Sequence, residues 1–283
     1  MSDATDQLPE VTHGGETYRL GLRLPPTYPD TFPRLSTAAG FRVWSRAEIL
    51  DAIKAKPVKR RTQFAGDKWV KQQGQVGSCN AAAATGVLRR CMAMGGRNEV
   101  PDLNWEFLYA QVNGGRDQGS MLDDGMQALV DVGVPPFKPG HRFNRDIYKQ
   151  HYTPEDYRDA AAFKATDCFT VSTPEELATL VLSGQGAAVV AVHVGGSFLR
   201  LDAKGFAGAD AGPGNHAVLV CDAEVIDGEL AFDHCGSWGV NTHAGGYAYF
   251  SWPRHFAQTI KHHAFYAVLA ATNDGRNAPA VTE

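Results

Sequence analysis

No run of about eighteen consecutive apolar residues occurs in the 283-residue sequence, so no helix of it is expected to span a bilayer. Cysteine is scarce. The five thiols, Cys79, Cys91, Cys168, Cys221 and Cys235, are odd in number and lack CxxC spacing, which argues against a disulfide framework and a structural zinc. A dominant charge sign is also missing: 27 basic against 31 acidic residues leave −4, so nothing draws the chain to a polyanion or an anionic membrane. Neither nucleic acid nor membrane is therefore an expected partner. The first residues, MSDATDQLPEVTHGG, carry acids where a secretory leader carries lysines, and no apolar stretch follows, so the expectation is a cytoplasmic protein.

What is present is a chain with 43% hydrophobic side chains, enough for one large domain or two modest ones. Residues 1–57 stand apart. They hold Pro25, Pro26, Pro29 and Pro33, which forbid a long helix or central strand and suggest an extended arm; SRAEILDAIKAK then reads as a short helix with Ser45 and Glu48 as its capping box. Residues 58–273 read as one unit, and 274–283 as a tail. Within that unit, NAAAATGVLRRCMAM predicts a buried helix starting near Ser78 or Cys79 and stopping at Gly95-Gly96. Helical spacing recurs over 103–112 and 121–132, and Thr173-Pro174-Glu175-Glu176 caps another helix. The pattern then changes to β-branched and aromatic runs at 187–194, 216–225, 229–235, 246–252 and 263–271, with Asp227-Gly228 as a two-residue hairpin turn. Helices first and antiparallel strands second define an α+β chain.

Chemistry concentrates around QQGQVGSCNA. A thiol in the first turn of an Ala-rich helix lies where unpaired N–H groups and the helix dipole favour a thiolate, so Cys79 is the candidate nucleophile. Gln73, six residues earlier behind a glycine-containing loop, can bring its amide beside the Cys79 N–H as the second donor of an oxyanion hole. A thiolate attacking a carbonyl also needs a proton shuttle, and His216, delivered by Gly-Pro-Gly-Asn to the mouth of the HAVLV strand, is the candidate among ten histidines. His262-His263 are adjacent strand residues pointing to opposite faces, so no metal site is expected.

Together QGQVGSCNA, NHAVLV and GSWGVNTHAGGYAYF resemble, in order and spacing, the three motif segments of papain-like cysteine peptidases over roughly residues 57 to 270. The resemblance implies a helical lobe presenting Cys79, a β-barrel-like lobe presenting His216, and thiol-protease activity on protein or peptide substrates without a cofactor. It further implies Gln73 as oxyanion donor, Trp238 as the indole shielding His216, and Gly119 with Ser120 as the backbone that pairs with substrate. Four positions depart from the family, the first being Ser120, which replaces the second glycine of that pair. Gly236 stands where an Asn orients the catalytic His; His234, on the same side of an extended strand, is the preferred replacement and Asn241 the second. Val76 stands where secreted relatives carry Cys, and Asn80 where an aromatic follows the nucleophile. The alternative reading is a catalytically degenerate fold kept as a binding or structural module. The amino-terminal arm is expected either to be a pro-segment, removed at about residues 55 to 60, or to dock the chain on a protein partner or particle.

Overall fold

The computed structural model describes residues 8–24, 32–97, 99–141, 146, 151–256 and 265–271. In chain order the elements are β1 (Glu10–His13), β2 (Glu16–Arg19), β3 (Leu22–Arg23), α1 (Arg46–Ala55), α2 (Arg60–Gln63), α3 (Cys79–Met94), α4 (Trp105–Val112), β4 (Ser120–Met121), α5 (Leu122–Asp131), α6 (Pro154–Ala161), β5 (Ala165–Thr170), α7 (Pro174–Leu182), β6 (Ala187–Val192), β7 (His216–Ile226), β8 (Glu229–Cys235), β9 (Tyr247–Ser251) and β10 (Phe265–Ala271). Among the described residues no helix is long and apolar enough to cross a membrane, and no three metal-ligating side chains cluster.

The Ala-rich helix α3 is the centre of the helical half. Every residue from Cys79 to Met92 is buried, including Arg89 and Arg90. Those cations are tolerated because they are hydrogen-bonded: Arg90 donates to the Tyr247 hydroxyl at 2.9 Å, and Arg89 to the carbonyls of Lys68 and Pro101 at 2.6 and 2.9 Å. The strands form one six-stranded antiparallel sheet in the order β5-β10-β6-β7-β8-β9. Asp227 and Gly228, with φ of +53° and +81°, make the expected hairpin turn between β7 and β8. Helix α3 covers one face of the sheet, while α7 and α1 cover the other. Both faces are therefore dry, and β6 reads AAVVAV without polar alternation. Its side chains alternate between two cores, Val189 and Ala191 toward α3, Val190 and Val192 toward α7.

The second lobe is not a barrel. The sheet is open, with β5 and β9 as its edges, and helices on both faces remove the need for closure. Before the proline-rich stretch the chain is not a simple extended arm either. Residues 10–19 form a hairpin over Gly14-Gly15, whose φ values of +60° and +83° lie in the left-handed region that favours glycine. Pro25, Pro26, Pro29, His262, His263 and residues 274–283 lie outside the described residues. The expected capping box of α1 is present, and Ile49 of this helix is sealed against the α7 face of the sheet.

Candidate active site

Cys79 is the first residue of α3, fed by a loop that turns at Gly74 (φ +62°). Its sulfur receives backbone N–H groups from Ala217, Gly21, Asn80 and Cys79 itself, and these favour the anion. Burial wins nonetheless. The side chain is sealed, and the thiol is pushed up to about 11 rather than toward the thiolate expected from its helical position. What seals it is the amino-terminal segment.

Residues 19–23 run directly across this thiol. Strand β3 pairs in parallel with β4, Leu22 opposite Ser120 and Arg23 opposite Met121. Ser120 N–H donates to the Gly21 carbonyl at 2.9 Å, and Leu22 N–H to the Asn215 carbonyl at 3.2 Å. The fit is close enough to require glycine on both walls: a Cβ on Gly21 would lie 1.8 Å from the Gly77 carbonyl oxygen, and one on Gly119 2.1 Å from that of Gly21. Gly119 and Ser120, the positions inferred to pair with substrate, thus flank a segment of the same chain. Asn80 is buried, and its amide donates to the Ser120 hydroxyl at 3.1 Å, bracing that wall.

Gln73 is oriented by its neighbours. Its amide oxygen accepts from the Ser237 hydroxyl, which leaves the NH₂ donating to the Val76 carbonyl at 2.8 Å and to the Arg19 carbonyl at 3.2 Å. A peptide carbonyl therefore already sits on the amide expected to receive an oxyanion. The side chain of Arg19 continues to Asp117, 2.8 Å away, whose other oxygen accepts from Gly77 N–H and the Tyr109 hydroxyl, both at 2.8 Å.

His216 opens β7 with its ring stacked on Trp238, centroids 4.3 Å apart, and Tyr18 of β2 stacks on the same indole at 5.1 Å. Neither ring nitrogen of His216 has a hydrogen-bond partner among the described residues, so the imidazole does not bond to the Cys79 sulfur in this closed arrangement. Burial and then the charge of His243 hold its pKa down to about 3. His234 does not orient it. Its Nδ1 lies 2.8 Å from the Ala248 carbonyl, its ring lies flat on Phe250 at 3.8 Å, and its Nε2 has no partner among the described residues. Stacking on β9 draws it away. Asn241 is exposed in its loop, and Gly236 leaves space in which a Cβ would meet nothing within 4 Å. Sequence reasoning missed Asp117, Tyr18, His243 and the covering segment; only the hairpin ahead of that segment had a local signal, Gly14-Gly15.

The arrangement of a central helix packed on an antiparallel sheet is the fold of papain-like cysteine proteases. Among solved structures, the chain is similar to xylellain, a cysteine protease from Xylella fastidiosa, at 19% identity and a TM-score of 0.59, covering 88% of this chain and 95% of that one. It is also similar to digestive procathepsin L2 proteinase from Tenebrio molitor larval midgut, at 18% identity and 0.62 over 89% and 78% of the two chains. A ragweed pollen cysteine protease in its proform gives 19% and 0.57 over 77% and 69%. No family model and no curated protein sequence matches the chain.

Proposed function

We propose that the chain is a cysteine peptidase held in a latent, self-covered form. The observation that carries this reading is the Arg19 carbonyl resting on the Gln73 amide beside the Cys79 sulfur, since a peptide in that position is what such a cleft is built to receive. Two of the similar structures, the procathepsin and the pollen proform, are themselves precursors, which supports latency. The covering strand offers the sulfur an N–H, from Gly21, where attack needs a carbonyl carbon. It inhibits without being a substrate in that pose.

With residues 19–23 displaced, water reaches both reactive groups and the desolvation that raised the thiol and lowered the imidazole is relieved. Cys79 then gives its proton to His216, and the thiolate adds to the scissile carbonyl, forming a C–S bond. The oxyanion takes the Gln73 amide and the Cys79 N–H. His216 imidazolium protonates the departing amine as the C–N bond breaks; the ring next takes a proton from water, whose oxygen displaces the sulfur and releases the acid. A Cys–His pair suffices for these steps, because a thiol needs less assistance than a serine hydroxyl. The degenerate-fold alternative draws only on Gly236.

Turnover of a denatured protein substrate by the incubated full chain tests the proposal, with Cys79→Ala as control. Peptide products from the native chain and none from Cys79→Ala are expected; equal products from both refute it. Mass spectrometry of the same samples reads the pro-segment. Leu35, Ala38, Phe41 and Ile49 are buried against the sheet, whereas the buried side chains of the front, Tyr18, Leu20 and Leu22, lie by the cleft, Tyr18 on Trp238 and Leu22 beside Ser120, so release of the front leaves the packing of residues 35–49 in place. The new terminus is expected between Leu24 and Pro33 rather than near residue 57.

A further inference from the structure

The residue whose carbonyl occupies the Gln73 amide is also the residue whose guanidinium reaches Asp117. Resting on the peptidase reading above, we infer that Asp117 is the specificity-determining residue of the cleft and selects substrates carrying arginine, with lysine second, at the position that supplies the scissile carbonyl. Arg19 is the built-in stand-in for that side chain.

Asp117 is suited to the task by how it is fixed. Its side chain is 10% exposed. Oδ1 is fully engaged by Gly77 N–H and the Tyr109 hydroxyl, and that hydroxyl in turn accepts from Gly119 N–H at 3.2 Å. The carboxylate is thereby tied both to the loop leading into Cys79 and to the wall that pairs with β3, while Oδ2 faces the guanidinium. When residues 19–23 leave, this oxygen loses the cation, and among the described residues no other cation is paired with it. A mostly buried carboxylate without a counter-charge is costly, so an incoming cation is favoured and a neutral side chain is not. Arginine ranks first because it presents a donor fork to a fixed carboxylate, whereas lysine offers a single strongly hydrated point charge. Glu10, the other carboxylate on Arg19, departs with the covering hairpin and takes no part in selecting substrate.

The test uses the full chain bearing Gly21→Ala, which cannot seat the covering strand, and two fluorogenic peptides identical except for arginine or its neutral isostere citrulline at the acyl position. A kcat/KM ratio of about five- to tenfold in favour of arginine is expected, because the stand-in guanidinium is partly exposed beside a mostly buried carboxylate. Asp117→Asn in the same background is expected to collapse the ratio toward unity by slowing the arginine peptide alone. Comparable rates for arginine and citrulline overturn the inference and leave the peptidase reading standing; cleavage of neither peptide, with Cys79 freely alkylated, overturns both. Because Asn at 117 also threatens the Gly77 loop, a second measurement needs neither that variant nor catalysis. In the otherwise native chain, Arg19→Lys is expected to keep Cys79 protected from iodoacetamide, whereas Arg19→Gln speeds its alkylation about tenfold or more. Equal protection by Lys and Gln refutes a cation-selective site.

Discussion

Gly21→Ala is the sharpest perturbation the structure offers, because it adds one methyl group where none fits. The new Cβ would stand 1.8 Å from the Gly77 carbonyl oxygen and 2.2 Å from its carbon, both backbone atoms of the loop that positions Cys79. Neither atom can yield without moving that loop, so the covering strand must lift instead. Three backbone or amide hydrogen bonds hold it, from Ser120 to Gly21, Leu22 to Asn215 and Gln73 to Arg19. At about 1 kcal/mol net each, with about 1 more for the partly exposed Arg19–Asp117 pair, the closed state is favoured by about 4 kcal/mol from polar contacts. The polar contacts alone correspond to about a thousandfold protection of the thiol, and burial of Tyr18, Leu20 and Leu22 adds to it. Alkylation by iodoacetamide at pH 7, followed residue by residue with peptide mass spectrometry, is the assay. Cys79 is expected to react at least about a hundredfold faster in the variant. Cys91, Cys168, Cys221 and Cys235 are buried in packed cores and serve as internal controls. Acceleration of all five together, or of none, would refute the claim that this strand is a separately opening cover.

Three further outcomes follow from the same geometry. Gly236→Asn is expected to raise kcat/KM of the opened enzyme several-fold, because a side chain there enters free space and restores an acceptor to the imidazole face; a loss of activity would show that the gap is needed open. Trp238→Ala removes the plate stacked on His216 and is expected to cost about 3–5 kcal/mol by urea titration and to raise the His216 pKa, read by NMR, from about 3 toward 6.5. An unmoved His216 resonance would remove the shielding role. Acid should destabilise the closed fold. The burial-lowered pKa values of His216, His234, His243 and His255 mean that the unfolded chain binds more protons between about pH 3 and 6.5, so stability is flat above that range and falls within it by about 1.4 kcal/mol per pH unit for His216 alone. Asp233, raised to about 6 by burial against the pull of Arg61, acts in the opposite sense and reduces the slope. Thermal midpoints that stay constant from pH 7 to 4.5 would contradict this account.

Much of the fold was legible because its signals are local. The cap at Ser45, the glycine stop after α3, the Thr173 helix start and the Asp227-Gly228 turn each specify a few residues of backbone, and the runs from 187 onward are long enough for strands. Helix α6 opens on the same Thr-Pro-acid sequence as α7, at Thr153-Pro154, and was open to the same rule; it closes its box through Asp156, whereas Glu176 of α7 accepts from Ser172 N–H. Strand β5, reading ATDCFT with two exposed polar residues in succession, has no clear period and is held in place by β10 instead. At the site, Cys79, Gln73, His216 and Trp238 stand out by motif, but their protonation does not. A helix terminus argues for a low thiol pKa, and only the long-range seating of residues 19–23 reveals the burial that reverses it. Asp117 lies in Gly-Gly-Arg-Asp-Gln-Gly and reads as a turn residue until Arg19, 98 positions away, is brought against it. His234 was placed by strand alternation, which says which face a side chain takes but not that Phe250 will capture its ring.

Because the cover is part of the same polypeptide, it competes as a tethered ligand and not as a dissolved one. A short tether confers an effective concentration in the millimolar range or above, so a peptide arriving at micromolar levels is outnumbered even where its own contacts are equally good. Severing the connection between Leu24 and Pro33 would leave those contacts untouched, yet it would convert a first-order reassociation into a dilution-dependent one. The cleaved hairpin would then persist as a weak inhibitor whose effect fades as the protein is diluted.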